Sequence, residues 1–213
     1  MYLFVWDFHG VMEIGNEKAV LEFSNHILKE NGFKERFAMY DIHLLNGLEW
    51  IDYFKHLLPN LTQKKHQELN DAVLKHSFDN LDRVEELIGP NHHLHDVLKA
   101  IKKAGHDQIV VSNTQREALP FFLRSVKATK FFPKGKAFAT HDEKTKFEIV
   151  EHYLKDKNYE KVFVIGDSQS DIHLARDVKA VAVAYIHPGF KQRIHGGDFL
   201  INDLRELLRI AGL

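Results

Sequence analysis

Short unbroken apolar runs alternate along this chain with longer stretches whose apolar residues recur every three or four positions. The first run, Tyr2-Leu3-Phe4-Val5-Trp6, is aromatic and branched throughout, the composition of a strand buried on both faces of a parallel sheet. Gln108 to Val111 and Lys161 to Ile165 read the same way, and shorter strands are expected at Ala137 to Ala139, Val181 to Tyr185 and Phe199 to Ile201. Helical spacing joins them. Leu94, Val97, Leu98 and Ile101 form one apolar face before Gly105, and further helices are expected over Arg116 to Val126, Thr145 to Leu154, Asp171 to Asp177 and from Leu204 onward. Strands that alternate with helices predict an α/β domain built on a parallel sheet with helices on both faces.

One interval breaks the rhythm. After Gly10 the text stays helical with no strand: Asn16 can cap a helix through Ala19, Val20, Phe23, Ile27 and Leu28 that stops at Gly32, and further helices follow over Lys34 to Asn46, Leu48 to Leu58 and Thr62 to about Phe78. Phe37, Leu44, Leu45, Trp50, Phe54 and Leu57 give these helices apolar stripes that can pack into a small bundle of their own. The expected organisation is a core domain of residues 1–14 and 83–213, with an all-helical domain inserted as residues 15–82. The punctuation at Gly89 and Pro90 marks the return to the core.

Composition narrows the chemistry. At 213 residues with 44% hydrophobic content, the chain can bury one good core and carry a modest second domain. Its 29 basic against 30 acidic residues give a formal charge of -1, so no overall field draws in nucleic acid or an anionic membrane, and any anion site must be local. The absence of cysteine removes disulfides, thiolate metal sites and thiol nucleophiles together. No apolar run is long enough to span a bilayer, and the first strand is too short and too aromatic for a signal peptide, so a cytoplasmic location is expected. Among the 15 histidines, His92, His93 and His95 invite a metal reading; their spacing points the rings apart on a helix, and solvated surface positions are expected instead.

The ends of three strands carry polar groups to what a parallel sheet makes a single rim. Asp7 ends the first, with Gly10 freeing the chain to turn; Ser112, Asn113 and Thr114 end the second; Gly166, Asp167 and Ser168 end the third, with Asp171 one helical turn beyond Asp167. Carboxylates gathered there repel one another unless a cation lies between them, and an all-oxygen, partly hydrated set suits Mg²⁺. Asp7, at the stiff end of a strand, is placed to attack phosphorus and form an aspartyl-phosphate. Ser112, Asn113, nearby backbone amides such as that of Gly10, and a lysine near residue 146 would share the charge on the phosphoryl oxygens.

Asp7-Phe8-His9-Gly10-Val11, the strand ending in Ser112-Asn113-Thr114, Lys146 within Thr145-Lys146-Phe147-Glu148-Ile149-Val150, and Gly166-Asp167-Ser168 with Asp171 together resemble the four ordered motifs of the haloacid dehalogenase superfamily. The tail Gly197-Asp198-Phe199-Leu200-Ile201-Asn202-Asp203-Leu204 is similar to the end of phosphoglycolate-phosphatase-like members. The resemblance spans nearly the whole chain. It implies a Rossmann-like sheet, Mg²⁺, an aspartyl-phosphate intermediate and a helical cap, here the insert, that closes over a small phosphorylated substrate. It also favours Lys146 over Lys144 as the phosphate-binding lysine, and it implies metal ligation by Asp7, the backbone carbonyl of residue 9 and Asp167. The spacing of Asp171 from Asp167 suits coordination through water, the alternative being a helix-capping acid, and Ser112 could likewise cap the helix that follows it.

One position departs from that pattern. Phosphatases of the superfamily carry a second aspartate two residues after the nucleophile, as acid for the leaving group and base for water; this chain has His9. Imidazole can do both jobs, with a reference pKa of about 6.5. The expected function is a Mg²⁺-dependent phosphatase of a small phosphorylated metabolite with His9 as acid and base; the alternative is a weakened or non-catalytic phosphate-binding protein of the same fold. Phosphonate cleavage would need a cap amine, for which Lys34, Lys55 and Lys64 are candidates, and specificity is expected around Asn46, Gly47 and Trp50, the last of which could equally be bundle core. Neither the substrate nor the oligomeric state is readable from the sequence.

Overall fold

The computed structural model describes residues 1–140, 144–190 and 194–213. In chain order the elements are β1 (Tyr2–Trp6), β2 (Glu13–Ile14), α1 (Asn16–Glu30), α2 (Met39–Leu45), α3 (Trp50–Leu57), α4 (Gln63–Asp79), α5 (Leu81–Leu87), β3 (Gly89–Pro90), α6 (Leu94–Lys103), β4 (Asp107–Ser112), α7 (Ala118–Ser125), a short 3₁₀ turn (Thr129–Phe131), β5 (Ala137–Ala139), α8 (Lys146–Leu154), β6 (Lys161–Gly166), α9 (Gln169–Asp177), β7 (Val181–Tyr185), β8 (Phe199–Ile201) and α10 (Arg205–Ala211). Two compact units emerge: Met1–Ile14 with Gly89–Pro188 and the tail from Ile194, and Gly15–Ile88 with Gly189 and Phe190.

The first unit is a Rossmann-like α/β domain. Six strands form one sheet in the order β5-β4-β1-β6-β7-β8, every neighbouring pair parallel. Alternation along the strands divides the core between two faces. Leu3, Val5, Ile109, Val111, Val164, Ala182 and Ala184 meet Ile149, Val150 and Tyr153 of α8 and Ile172, Leu174 and Ala175 of α9. Phe4 and Phe163 stack on the other face, with ring centroids 5.0 Å apart. There the Trp6 indole donates to Gln108 Oε1 at 3.2 Å, and Gln108 Nε2 donates to the Leu98 carbonyl of α6 at 3.0 Å, so these two buried polar groups answer each other and the helix. Two short strands lie outside the main sheet. β2 and β3 pair antiparallel, Glu13 opposite Pro90 and Ile14 opposite Gly89, where the chain leaves the domain and where it returns.

Among its described residues the second unit contains five helices, α1 to α5, where periodicity predicts four. α5 was not expected; it buries Val84, and Arg83 donates to both carboxylate oxygens of Glu22 in α1 at 2.8 Å. The helix expected from Lys34 begins instead at Met39, because the Asn25 side chain takes both backbone groups of Phe37 in an extended segment, donating to its carbonyl at 3.0 Å and accepting from its N–H at 2.8 Å. Trp50 opens α3 with its indole nitrogen buried, Asn46 closes α2, and Gly47 adopts φ 82°. Lys34 and Lys64 are exposed, and Lys55 pairs with Asp52 at 2.9 Å.

His92 and His93 are exposed, but His95 is half-buried and its Nε2 donates to the Val126 carbonyl at 2.7 Å, so one of the three histidines expected in solvent serves packing. The loop expected after Pro188 lies partly outside the described residues. Among the described residues no helix is long and apolar enough to cross a membrane.

Candidate active site

β1 occupies the middle of the sheet, between β4 and β6. The chain builds outward from β4 to β5, then crosses back to begin β6 on the other side of β1, so the carboxyl end of β1 lies at the topological switch point where open α/β sheets bind ligands. Asp7 is the first residue past β1, and its N–H donates to the Ile165 carbonyl of β6 at 2.8 Å. Ser112 ends β4, and Asp167 follows the end of β6.

Lys146 ties the acids together. It is the first residue of α8, whose Thr145 and Glu148 form a reciprocal capping box: Glu148 N–H donates to Thr145 Oγ1 at 3.2 Å, and Thr145 N–H to Glu148 Oε2 at 2.7 Å. The lysine ammonium, 9% exposed, lies 3.0 Å from Asp7 Oδ1 and 2.8 Å from Asp171 Oδ1. Asp7 Oδ1 also accepts from the Phe8 N–H at 2.7 Å. Asp171 Oδ2 accepts from Ser168 Oγ at 2.6 Å and from Ser168 N–H at 3.2 Å, so this acid caps α9 while its other oxygen faces the lysine. Lys144 is exposed.

Asp7, Asp167 and Asp171 each place one carboxylate oxygen within 4.8 Å of the others'. Two glycines make room. A Cβ on Gly10, which sits at φ 72°, would fall 1.9 Å from Asp167 Oδ2, and one on Gly166 would fall 2.1 Å from Asp171 Cγ. The Gly10 N–H is already engaged, donating to Glu13 Oε1 at 3.1 Å. Ser112 is fully buried and its hydroxyl has no partner among the described residues, an unmet group that normally costs free energy. Asn113 is exposed; its Oδ1 accepts from Thr140 Oγ1 at 3.0 Å, while the Thr140 N–H donates to the Ser112 carbonyl at 3.0 Å.

Burial, reinforced by the Asp171 carboxylate and opposed by Lys146, pushes the Asp7 carboxyl up to about 6. Asp167 is raised well above the carboxylate range by burial and by the charges of Asp7 and Asp171. Burial alone would lower Lys146, yet the two aspartates hold its ammonium above its ordinary value. Burial likewise works against protonation of His9, but the Glu13 carboxylate outweighs it and raises the imidazole.

Among the described residues the cluster gathers three carboxylates and one ammonium in a mostly buried space, an acidic, all-oxygen donor set. A hard divalent cation is the counterpart in charge and donor type, and the elevated aspartates are those that it would relieve. The donor set therefore fits such an ion.

Residues 4–185 match the family model of haloacid dehalogenase-like hydrolases. The chain belongs to this family. Haloacid dehalogenase-like folds among solved structures agree over almost the full length. A haloacid dehalogenase-like hydrolase from Streptococcus pneumoniae superposes with a TM-score of 0.76 at 14% identity, covering 98% of this chain and 97% of that one. A haloacid dehalogenase family hydrolase from Deinococcus radiodurans with bound phosphate and sodium gives 0.71 at 15% identity, over 99% and 95%. A protein from Haemophilus somnus described as a predicted phosphoglycolate phosphatase gives 0.76 at 17%, over 98% and 97%. No curated protein matches the chain.

Within this haloacid dehalogenase-like site one residue escaped the motif reading. Glu13, 1% exposed, lies 3.1 Å through Oε1 from His9 Nδ1. Its signal was present as an acid stranded among Val11, Met12 and Ile14, four residues after the histidine that departs from the family pattern.

Proposed function

We propose that this chain hydrolyses phosphomonoesters of small metabolites through a covalent phosphoryl intermediate on Asp7. The arrangement of Asp7 against Lys146, beside two further carboxylates and next to a strand ending in an unpartnered hydroxyl, carries the reading. Lys146 fixes the nucleophile and offsets part of the charge that phosphate brings. Ser112 offers a buried donor to a phosphoryl oxygen and Asn113 a second polar group beside it. A divalent cation, which we take to be Mg²⁺, would be held by Asp7, Asp167, the His9 carbonyl and, through water, Asp171, and would supply charge compensation between carboxylate and phosphate.

In the first half-reaction a bond forms between an Asp7 oxygen and phosphorus, the bond from phosphorus to the ester oxygen breaks, and a proton passes from His9 to that oxygen as the alcohol leaves. In the second, water adds to phosphorus as its proton returns to His9, the bond from phosphorus to Asp7 breaks, and inorganic phosphate departs. Although burial opposes it, the Glu13 carboxylate raises the imidazole, which favours the protonated form that the first half-reaction uses. The phosphate bound in the Deinococcus radiodurans structure and the description of the Haemophilus somnus protein support phosphate chemistry. We assign substrate selection to the helical insert, with Asn46, Gly47 and Trp50 as the first residues to vary.

The test is acid-quenched incubation with p-nitrophenyl phosphate and Mg²⁺. An alkali-labile phosphoryl group on the wild-type chain, absent from Asp7→Asn together with nitrophenol release, is expected. Release that persists in Asp7→Asn ends the reading.

A further inference from the structure

Glu13 sits where its neighbours are apolar: Val11 and Met12 are fully buried, and the acid itself is 1% exposed. A carboxylate taken out of water costs several kcal/mol unless it is paired, so its contacts indicate its use. Oε1 accepts from the Gly10 N–H at 3.1 Å and faces His9 Nδ1 at the same distance. A backbone amide can only donate, so the atom between the two groups is an acceptor and Nδ1 carries the hydrogen. Nε2 is then the nitrogen free for proton exchange. The ring is held edge-on to Phe122 at 4.9 Å and to Phe8 at 5.2 Å.

The acid is itself anchored. Its backbone pairs with Pro90 across β2 and β3; the Asn91 N–H donates to the Met12 carbonyl at 2.9 Å, and the Asn91 side chain donates to the Val11 carbonyl at 2.6 Å. Tyr185 in turn donates to Asn91 Oδ1 at 3.2 Å. A carboxylate at position 9 would have two equivalent oxygens and would need no such support. Imidazole has two inequivalent nitrogens, and one orientation with one tautomer must be selected.

We infer that Glu13 is a positioning residue for phosphoryl transfer, holding His9 with Nδ1 protonated so that Nε2 gives its proton to the departing ester oxygen and receives one from the attacking water. The inference rests on the Asp7 mechanism proposed above and adds the group that makes histidine serviceable there.

The experiment compares wild type, His9→Ala, Glu13→Leu and Glu13→Gln on phenyl phosphate, whose leaving group needs a proton, and on 2,4-dinitrophenyl phosphate, whose leaving group does not, both with Mg²⁺. General acid catalysis contributes about 10²–10⁴-fold. His9→Ala should therefore lose about 10²-fold or more in kcat on phenyl phosphate. Glu13→Leu should lose at least roughly 10-fold more on phenyl than on dinitrophenyl phosphate. Glu13→Gln, whose amide oxygen the Gly10 N–H still orients, should recover most of that difference. An equal loss on both esters in Glu13→Leu marks a merely structural residue and overturns the inference.

Imidazole ¹⁵N shifts of His9, read with the ring neutral, decide the point without turnover. Protonated Nδ1 in wild type, with a shift toward protonated Nε2 in Glu13→Leu, supports the positioning role; protonated Nε2 in wild type overturns it. Turnover that survives Asp7→Asn removes the parent mechanism instead, and His9→Ala without leaving-group dependence removes the acid role of His9 and this inference with it.

Discussion

Replacing Asp7, the proposed nucleophile, should make the cation-free protein more stable. Asp7→Asn keeps the side chain's shape and removes one negative charge from a cluster of three buried or half-buried acids. The Asp7 carboxyl is pushed from 3.8 to about 6, chiefly by burial. At about 1.4 kcal/mol per pH unit, ionising it in the folded chain costs ~3 kcal/mol more than in the unfolded chain. The sign follows from proton binding. Between pH 3.8 and about 6 the folded state holds the Asp7 proton more tightly, so wild-type stability falls as pH rises through that window and is level above it. Asparagine has no proton to lose. In EDTA the variant should exceed wild type by ~3 kcal/mol at pH 8, roughly 6–12 °C in Tm for a chain of this size, and the gap should vanish near pH 4. Excess Mg²⁺ should narrow it, since an ion at 100 times its Kd stabilises the state that binds it by ~2.7 kcal/mol. Thermal unfolding with EDTA or Mg²⁺ across this range is the assay. A variant less stable than wild type at pH 8 in EDTA, or a gap that does not change with pH, refutes the reasoning.

Other substitutions separate binding from folding. Gly10→Ala would put a methyl group 1.9 Å from Asp167 Oδ2 at φ 72°, so a stability loss of about 1–3 kcal/mol and a weaker Mg²⁺ midpoint are expected, read by denaturant titration and calorimetry. Ser112→Ala removes a buried hydroxyl that no described group answers; stability should rise by about 1–3 kcal/mol, the cost of an unmet buried group, while inhibition by inorganic phosphate weakens roughly 10-fold or more, the net value of a hydrogen bond to a charged group. Asp107 starts β4, at the opposite edge of the sheet, and accepts from Tyr153 at 2.8 Å, Tyr159 at 2.6 Å and Lys136 at 2.5 Å. Although burial opposes it, these donors hold its carboxyl below the ordinary range, so its contribution is present at neutral pH and lost as pH falls through the lowered value. Asp107→Asn should cost about 1–3 kcal/mol at pH 7 and leave kcat unchanged.

Much of the core was legible because its evidence is local. A doubly buried parallel strand is apolar along most of its length, and β1, β7 and the middles of β4 and β6 are read directly as such runs. The acids and hydroxyls that end three of them needed only strand direction to be placed on one rim. What escaped depends on partners distant in sequence or on single side chains. β2 and β3 are two residues each and pair across the whole insert, so no periodicity announces them. α5 carries the same charged text as a surface loop, and Arg83 finds its acid in α1. The extended segment before α2 is imposed by Asn25, twelve residues upstream of Phe37, against a helical pattern. Glu13 was visible as a letter and invisible as a partner, because its use depends on the turn at Gly10 bringing Oε1 back to the ring.

The pairing of Ile14 with Gly89 bears on how such proteins diversify. Departure and re-entry points that are bonded neighbours make a doorway of fixed width. Whatever is threaded through that doorway need only begin and end there, and lengthening it raises closure entropy only logarithmically. Evolution can thus exchange, enlarge or trim the intervening module while the reaction centre keeps its geometry. If the insert selects substrate as proposed, chimeras spliced at this doorway would graft a new preference onto unchanged chemistry.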